Sequence, residues 1–259
     1  MSKKAQFVIW AVIVIAAIIL IAFSIYKAVE RNTTGNIHPV VAIEFENYGT
    51  VSFELYPEYA PNTVANFIKL AQSEYYNDKV LYGKDNVCLY FGRNSEGEID
   101  DPTTDTIGYP VASPYSYSID GEFIANGFND NTLRHEKGVI TLIRNNYTEY
   151  FSSLYEESYN SGNAQIGIMM SDDASNLDGV YAGFGKVVEG MDVLEKIYNE
   201  VAVESDASKD ETGIKKFAEF PKVTAVTIDT HGIDYGMPEI HEMFDYTEFI
   251  NQYISAQNY

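Results

Sequence analysis

The first pattern along the chain is an absence of polarity: the 20 residues from Phe7 to Tyr26 carry no charge. A helix of that length rises about 30 Å at 1.5 Å per residue, which matches the hydrocarbon core of a bilayer. The stretch is apolar all round rather than along one stripe, so it is expected to span a membrane and not to lie on a protein surface. Lys3 and Lys4 precede it and favour a cytoplasmic N-terminus. A cleaved signal peptide is the rival reading, but its apolar core is normally shorter, and Ala22-Phe23-Ser24 is a poor cleavage site. The pattern then changes. Val41 to Phe45 and Val51 to Leu55 alternate at period two around Asn47-Tyr48-Gly49, which predicts a hairpin. Pro61 opens a helix on which Val64, Phe67, Ile68 and Ala71 share a face. Lys84-Asp85-Asn86 reads as a turn and Val87 to Phe91 as another strand. Asp178-Gly179 reads as a turn, Phe184 to Val188 as a half-buried strand, and Met191, Leu194 and Ile197 as one face of a second helix ending near Tyr198. Val223 to Ile228 is the last expected strand. Beyond Gly232, Pro238 is expected to open a helix with Ile240, Met243, Phe244, Ile250 and Ile254 on one side. The expected division is an anchor in 1–31, a linker in 32–39, a mainly β domain in 40–232 and a helical tail in 233–259.

Composition sharpens this picture in three places. Lys3, Lys4, Lys27 and Arg31 against Glu30 leave residues 1–31 at +3, so the remainder carries −24 of the net −21. Such an acidic domain repels phosphates, which argues against nucleic acid as a partner. Cys88 is the only cysteine, so no intrachain disulfide can form, and His38, His135, His231 and His241 lack zinc-ligand spacing. No metal or cofactor is expected. Asp100, Asp101 and Asp105 sit in a polar loop from Asn94 to Ser116 without calcium-loop order, and read as a solvated surface.

The run Leu177-Asp178-Gly179-Val180-Tyr181-Ala182-Gly183-Phe184-Gly185-Lys186-Val187-Val188-Glu189-Gly190-Met191-Asp192-Val193 resembles the cyclophilin signature L-D-G-x-(Y/H)-x-x-F-G-x-V-x-x-G-M-x-V. Gly49, Glu54, Leu55, Tyr56, Pro57, Ala60, Pro61, Thr63, Val64, Asn66 and Phe67 resemble that family's opening block. Tyr117 to Phe123, Asn126-Gly127-Phe128 and Leu133-Arg134-His135 resemble its bacterial branch, as does the strand Gly138 to Arg144. The resemblance covers about residues 40–232. It implies a mainly β, closed antiparallel barrel with two capping helices, near Pro61–Ala71 and Met191–Tyr198, here preceded by one transmembrane helix. The implied activity is peptidyl-prolyl cis-trans isomerisation of proline-containing peptides or unfolded secreted proteins, assisting folding outside the cytoplasm from a single-pass membrane anchor. His135 reads as a hydrogen-bonded structural residue.

The implied site departs from the family. Read without a gap, the family's F-H-R falls on Leu81, Tyr82 and Gly83, which places glycine at the catalytic arginine, and F-M-x-Q becomes Cys88, Leu89, Tyr90 and Phe91. A second register stays open, in which Phe91-Gly92-Arg93 stands for F-H-R after an insertion. N-S-A-G-S-Q-F-F-I becomes Asn160 to Ile168, which keeps Gln165 but replaces the two phenylalanines by Ile166 and Gly167. By resemblance, Arg93, Arg144 and Gln165 are the candidate catalytic residues. Tyr82, Leu89, Phe91, Ile143, Ile166, Gly167, Leu177 and Tyr181 are the candidate substrate contacts. Leu89, Phe91 and Arg93 stand at i, i+2 and i+4 of one strand, so period two predicts one shared face towards the groove. A binding module without catalysis is the alternative. Asn145 to Tyr159, rich in Tyr and Phe, exceeds the family pattern and is open to two readings, a partner surface or a satellite core.

Overall fold

The computed structural model describes residues 37–110, 116–204 and 213–257. The expected anchor at residues 7–26 lies outside the described residues. Among the described residues no helix is long and apolar enough to cross a membrane.

In chain order the strands are β1 (Val40–Phe45), β2 (Gly49–Leu55), β3 (Val80–Lys84), β4 (Cys88–Arg93), β5 (Tyr117–Ser118), β6 (Val139–Leu142), β7 (Ile166–Met169), β8 (Gly183–Glu189), β9 (Lys215–Lys216), β10 (Val223–Asp229) and β11 (His241–Glu242). The helices are α1 (Pro61–Gln72), α2 (Tyr155–Tyr159), α3 (Met191–Glu200) and α4 (Tyr246–Gln257). The predicted hairpin is β1–β2: Asn47 takes a φ of 65° in the turn, and the inward residues Val41, Ile43, Phe45, Val51, Phe53 and Leu55 are buried. Both helices predicted in the domain form. Pro61 starts α1, which buries Val64, Phe67 and Ile68, while α3 buries Leu194 and Ile197. Glu122 caps α1 from far along the chain, its carboxylate accepting the backbone N–H of Asn62 at 2.8 Å and of Thr63 at 2.7 Å.

Nine strands form one curved antiparallel sheet in the order β10-β1-β2-β8-β6-β7-β4-β3-β9. The barrel is not closed, which corrects the expectation. The outer edge of β3 is divided: Gly83 and Lys84 pair with β9, whereas Val80 meets the chain entering β10 only at a single bridge to Lys222. Pro221 accepts from Leu81 N–H at 3.0 Å but has no N–H to return. A continuous ladder therefore cannot run through this seam.

The tail also differs from its expectation. Residues from Pro238 do not form a helix; β11 pairs with β5, and the helix begins only after Asp245, whose carboxylate accepts Glu248 N–H at 2.8 Å. The apolar spacing is genuine, but an available strand edge and an N-capping aspartate move the helix start. The long segment before Gln165 folds against this tail. Tyr147 stacks on Tyr246 at 5.0 Å, and Phe151 contacts Phe249 at 5.2 Å and Tyr253 at 5.0 Å.

Candidate active site

The turn between β3 and β4 fixes the register of the site. The Asp85 carboxylate accepts the N–H groups of Val87 at 2.8 Å and Cys88 at 2.7 Å, and its other oxygen accepts the Tyr90 hydroxyl at 2.8 Å. Leu81, Tyr82 and Gly83 thus lie on β3 and Phe91 and Arg93 on β4, which is the ungapped reading. The second register would need Phe91-Gly92-Arg93 in β3's place and is set aside. Gly83 is paired with Lys216 of β9. A Cβ there would stand 2.7 Å from both the Ile214 methyl and the Lys215 carbonyl oxygen, so no arginine fits.

Leu89 and Phe91 do share a face, but it is the core face; both are fully buried with Phe45, Phe67 and Phe184. Ile166 joins them, so these three expected substrate contacts are core residues. Arg93 does not follow them. Gly92 takes φ +112°, a Cβ there would stand 3.0 Å from the Ala164 carbonyl oxygen and 3.2 Å from Gln165 Cα, and the β3–β4 pairing slips there. Such a bulge inverts the side-chain alternation. Arg93 therefore emerges on the outer face, its guanidinium 3.9 Å from the centre of the Tyr82 ring. The guanidinium reaches the Gly97 carbonyl at 3.4 Å, while its Nε is buried without a partner among the described residues. The Tyr82 hydroxyl donates to Gln165 Oε1 at 3.1 Å. Arg93, Tyr82 and Gln165 are thereby joined into one group.

The other candidates are placed differently. Arg144 is committed to holding loops: Nε and Nη2 both donate to the Val180 carbonyl at 3.3 Å, and Nη1 donates to Ser158 Oγ at 3.1 Å. Tyr181, Tyr159 and Phe123 surround it at 4.5, 4.9 and 5.6 Å from their ring centres. Neither arginine pairs with a carboxylate among the described residues. The space where the family's second phenylalanine would stand is filled, because a Cβ at Gly167 would lie 2.7 Å from Cys88 Sγ and 3.1 Å from Ile143 Cδ1. Leu177 packs against Cys88, Met169 and Ala174 beside it. Ile143, Arg144, Asn163 and Gln165 instead line a small crevice of about 40 Å³ together with Met243 from the tail. Sequence reasoning missed Met243, which carried no signal beyond lying on the tail's apolar side.

His135 supports the wall of the site. Its Nδ1 lies 3.1 Å from Asp178 Oδ1 and its Nε2 3.1 Å from Thr141 Oγ1. Burial pulls its pKa below 6.5 despite the opposing pull of Asp178, so the ring is held neutral. Burial likewise pushes the Cys88 thiol well up.

With this geometry in view, the family profile of the cyclophilin type peptidyl-prolyl cis-trans isomerases matches residues 40–219. The chain belongs to that family. Peptidyl-prolyl cis-trans isomerase-like 2 of Rhizopus delemar is 26% identical over 198 residues, 75% of this chain and 30% of that protein. Peptidyl-prolyl cis-trans isomerase-like 4 of Homo sapiens is 27% identical, covering 61% of this chain and 28% of that protein. The chain therefore spans less than a third of these two relatives. A peptidyl-prolyl cis-trans isomerase of Acinetobacter baylyi is 26% identical over 59% of this chain and 69% of its own length. Among solved structures, a cyclophilin type isomerase of Cryptosporidium parvum, crystallised with the dipeptide Ala-Pro, aligns with a TM-score of 0.51 and 21% identity. That alignment covers 74% of this chain and 99% of the other, and shows the shared half-barrel fold.

Proposed function

We propose that the chain is a cyclophilin-type prolyl isomerase that acts on proline-containing segments of extracytoplasmic proteins, with Arg93 as the donor to the prolyl nitrogen. The observation that carries this is the joined group of Arg93, Tyr82 and Gln165 on the outer face of β3, β4 and β7. Rotation about the peptide bond breaks amide resonance, a barrier of about 18–20 kcal/mol, and needs no nucleophile. A donor whose hydrogen bond to the nitrogen strengthens as that atom becomes pyramidal lowers the barrier selectively. Arg93 can act as that donor through the Nη groups of its guanidinium, whose plane the Tyr82 ring holds. The Gln165 carbonyl oxygen is engaged by Tyr82, which leaves its amide N–H groups to hold a substrate carbonyl. The uncharged span Phe7 to Tyr26 with Lys3 and Lys4 before it supports retention at a membrane with the acidic domain outside.

The second reading is a peptide-binding module without turnover. It is favoured by the filled space at Gly167 and by Ile214 and Lys215 against Gly83, which remove the proline cup and the usual arginine position. NMR exchange spectroscopy on an Ala-Pro-containing peptide with the full chain separates the two. Isomerisation that falls roughly tenfold to a thousandfold in Arg93→Ala, the scale of losing one transition-state donor, supports the catalytic reading. Peptide binding without acceleration supports the module. Acceleration unchanged by Arg93→Ala removes the role given to Arg93.

A further inference from the structure

We propose that the C-terminal tail is a built-in occupant of the groove, with Met243 filling the crevice beside Gln165 and excluding peptide until the tail swings away. The proposal rests on the reading of Gln165 as part of a peptide site and adds a regulatory contact to it.

The tail runs as an extended segment past the start of α1 and along β5. Glu239 exchanges two hydrogen bonds with the Asn62 side chain, at 2.9 and 2.7 Å. β11 adds to the short edge of β5, His241 opposite Ser118 and Glu242 opposite Tyr117. Met243 N–H then donates to the Ser116 carbonyl at 3.1 Å. An extended chain added to a strand edge is a common way for proteins to hold peptides, and this chain does so with its own tail. The pairing places half-buried Met243 on the wall of the crevice that Ile143, Arg144, Asn163 and Gln165 also line. With Met243 in place about 40 Å³ remains, room for a few waters and not for a peptide side chain. A peptide side chain lying along Gln165 needs that same space.

The tail is also built to leave. The ladder between β11 and β5 is two residues long, and α4 buries none of its residues. Ring contacts tie α4 to the preceding segment: Tyr246 on Tyr147, and Phe249 and Tyr253 on Phe151. Segments with few buried apolar contacts open at far lower cost than the global fold. When only a fraction of molecules is competent, apparent affinity falls by that fraction; with about one molecule in ten open, freeing the crevice gains about tenfold.

The test uses the full chain and two variants. Met243→Ala empties the crevice and leaves the strand pairing intact. Ser118→Cys with His241→Cys places two thiols at directly paired positions, where the Cα spacing of an antiparallel pair suits a disulfide; Cys88 is buried away from oxidant. The expected result is that Met243→Ala raises kcat/KM by about tenfold. The oxidised double variant should lose activity that reductant restores. A Met243→Ala rate equal to the parent overturns the proposal, and so does an oxidised double variant as active as its reduced form. If no form accelerates isomerisation, the isomerase reading falls by itself. The affinity of an Ala-Pro-containing peptide, followed by NMR shifts, then decides the tail on the same terms: tighter binding in Met243→Ala supports it and equal binding overturns it.

Discussion

The barrel wall and the aromatic satellite use the same residue types to opposite effect. In the wall, Phe45, Phe53, Phe91 and Phe184 are at most 1% exposed, and the strands carrying them belong to one nine-stranded sheet. In the satellite, Tyr147, Phe151, Tyr246, Phe249 and Tyr253 meet ring to ring at 5.0–6.4 Å, yet α4 has no buried residue and β11 offers two paired residues. Phe184 lies at 5.5 Å from Phe67, no closer than Phe151 lies to Phe249 at 5.2 Å. Ring distance therefore does not separate the two regions; removal from water does. Deleting a buried aromatic costs about 3–5 kcal/mol, because transfer and cavity terms add. A surface ring pair is worth about 0.5–1.5 kcal/mol beyond its burial.

The sharpest way to break the comparison is Phe184→Ala. Denaturant unfolding should show a loss of about 3–5 kcal/mol, enough to leave much of a marginal domain unfolded. A loss under about 1 kcal/mol would mean that the wall is not the stabilising region. The next largest effect is pH dependence within the wall. Because burial lowers the pKa of His135 in the folded state, the unfolded chain binds the proton more tightly. Stability should be fully present above about 6.5, the unfolded value, and fall as pH drops from there towards the folded pKa. The slope from this group is at most about 1.4 kcal/mol per pH unit. Unfolding curves of the parent and His135→Gln between about pH 7.5 and about 5 should converge as pH falls. Parallel curves would show that the ring does not couple to folding. The smallest expected effect is in the satellite. Phe249→Ala should lower global stability by no more than about 1 kcal/mol, while hydrogen exchange in α4 and β11 accelerates and that of β1 and β2 does not. A large global loss would merge the satellite with the core and remove the distinction.

Three positions around the site show how far the sequence could be read. Gly92 carried a usable signal, since a glycine inside a strand pattern often marks a bulge. Strict period two ignored it and put Arg93 beside Leu89 and Phe91. Gly83 was visible as a missing arginine, but nothing near it in the chain announced that Ile214 and Lys215 would lie over it. The same holds for Arg144, whose residue type matched the family strand while Ser158 and Val180 took up its donors.

By itself the sequence determined the β1–β2 hairpin, the starts of α1 and α3, the family, and which strands alternate, because these follow from local periodicity, turn residues and motif spacing along a continuous stretch. Only the tertiary structure decided that the barrel stays open at Pro221, that Ile214 and Lys215 fill the space beside Gly83, that a bulge turns Arg93 outward onto Tyr82, and that Met243 lines the crevice beside Gln165. Each of those depends on segments distant in the chain competing for one strand edge or one volume, and a pattern read along the chain holds no information about which of them wins.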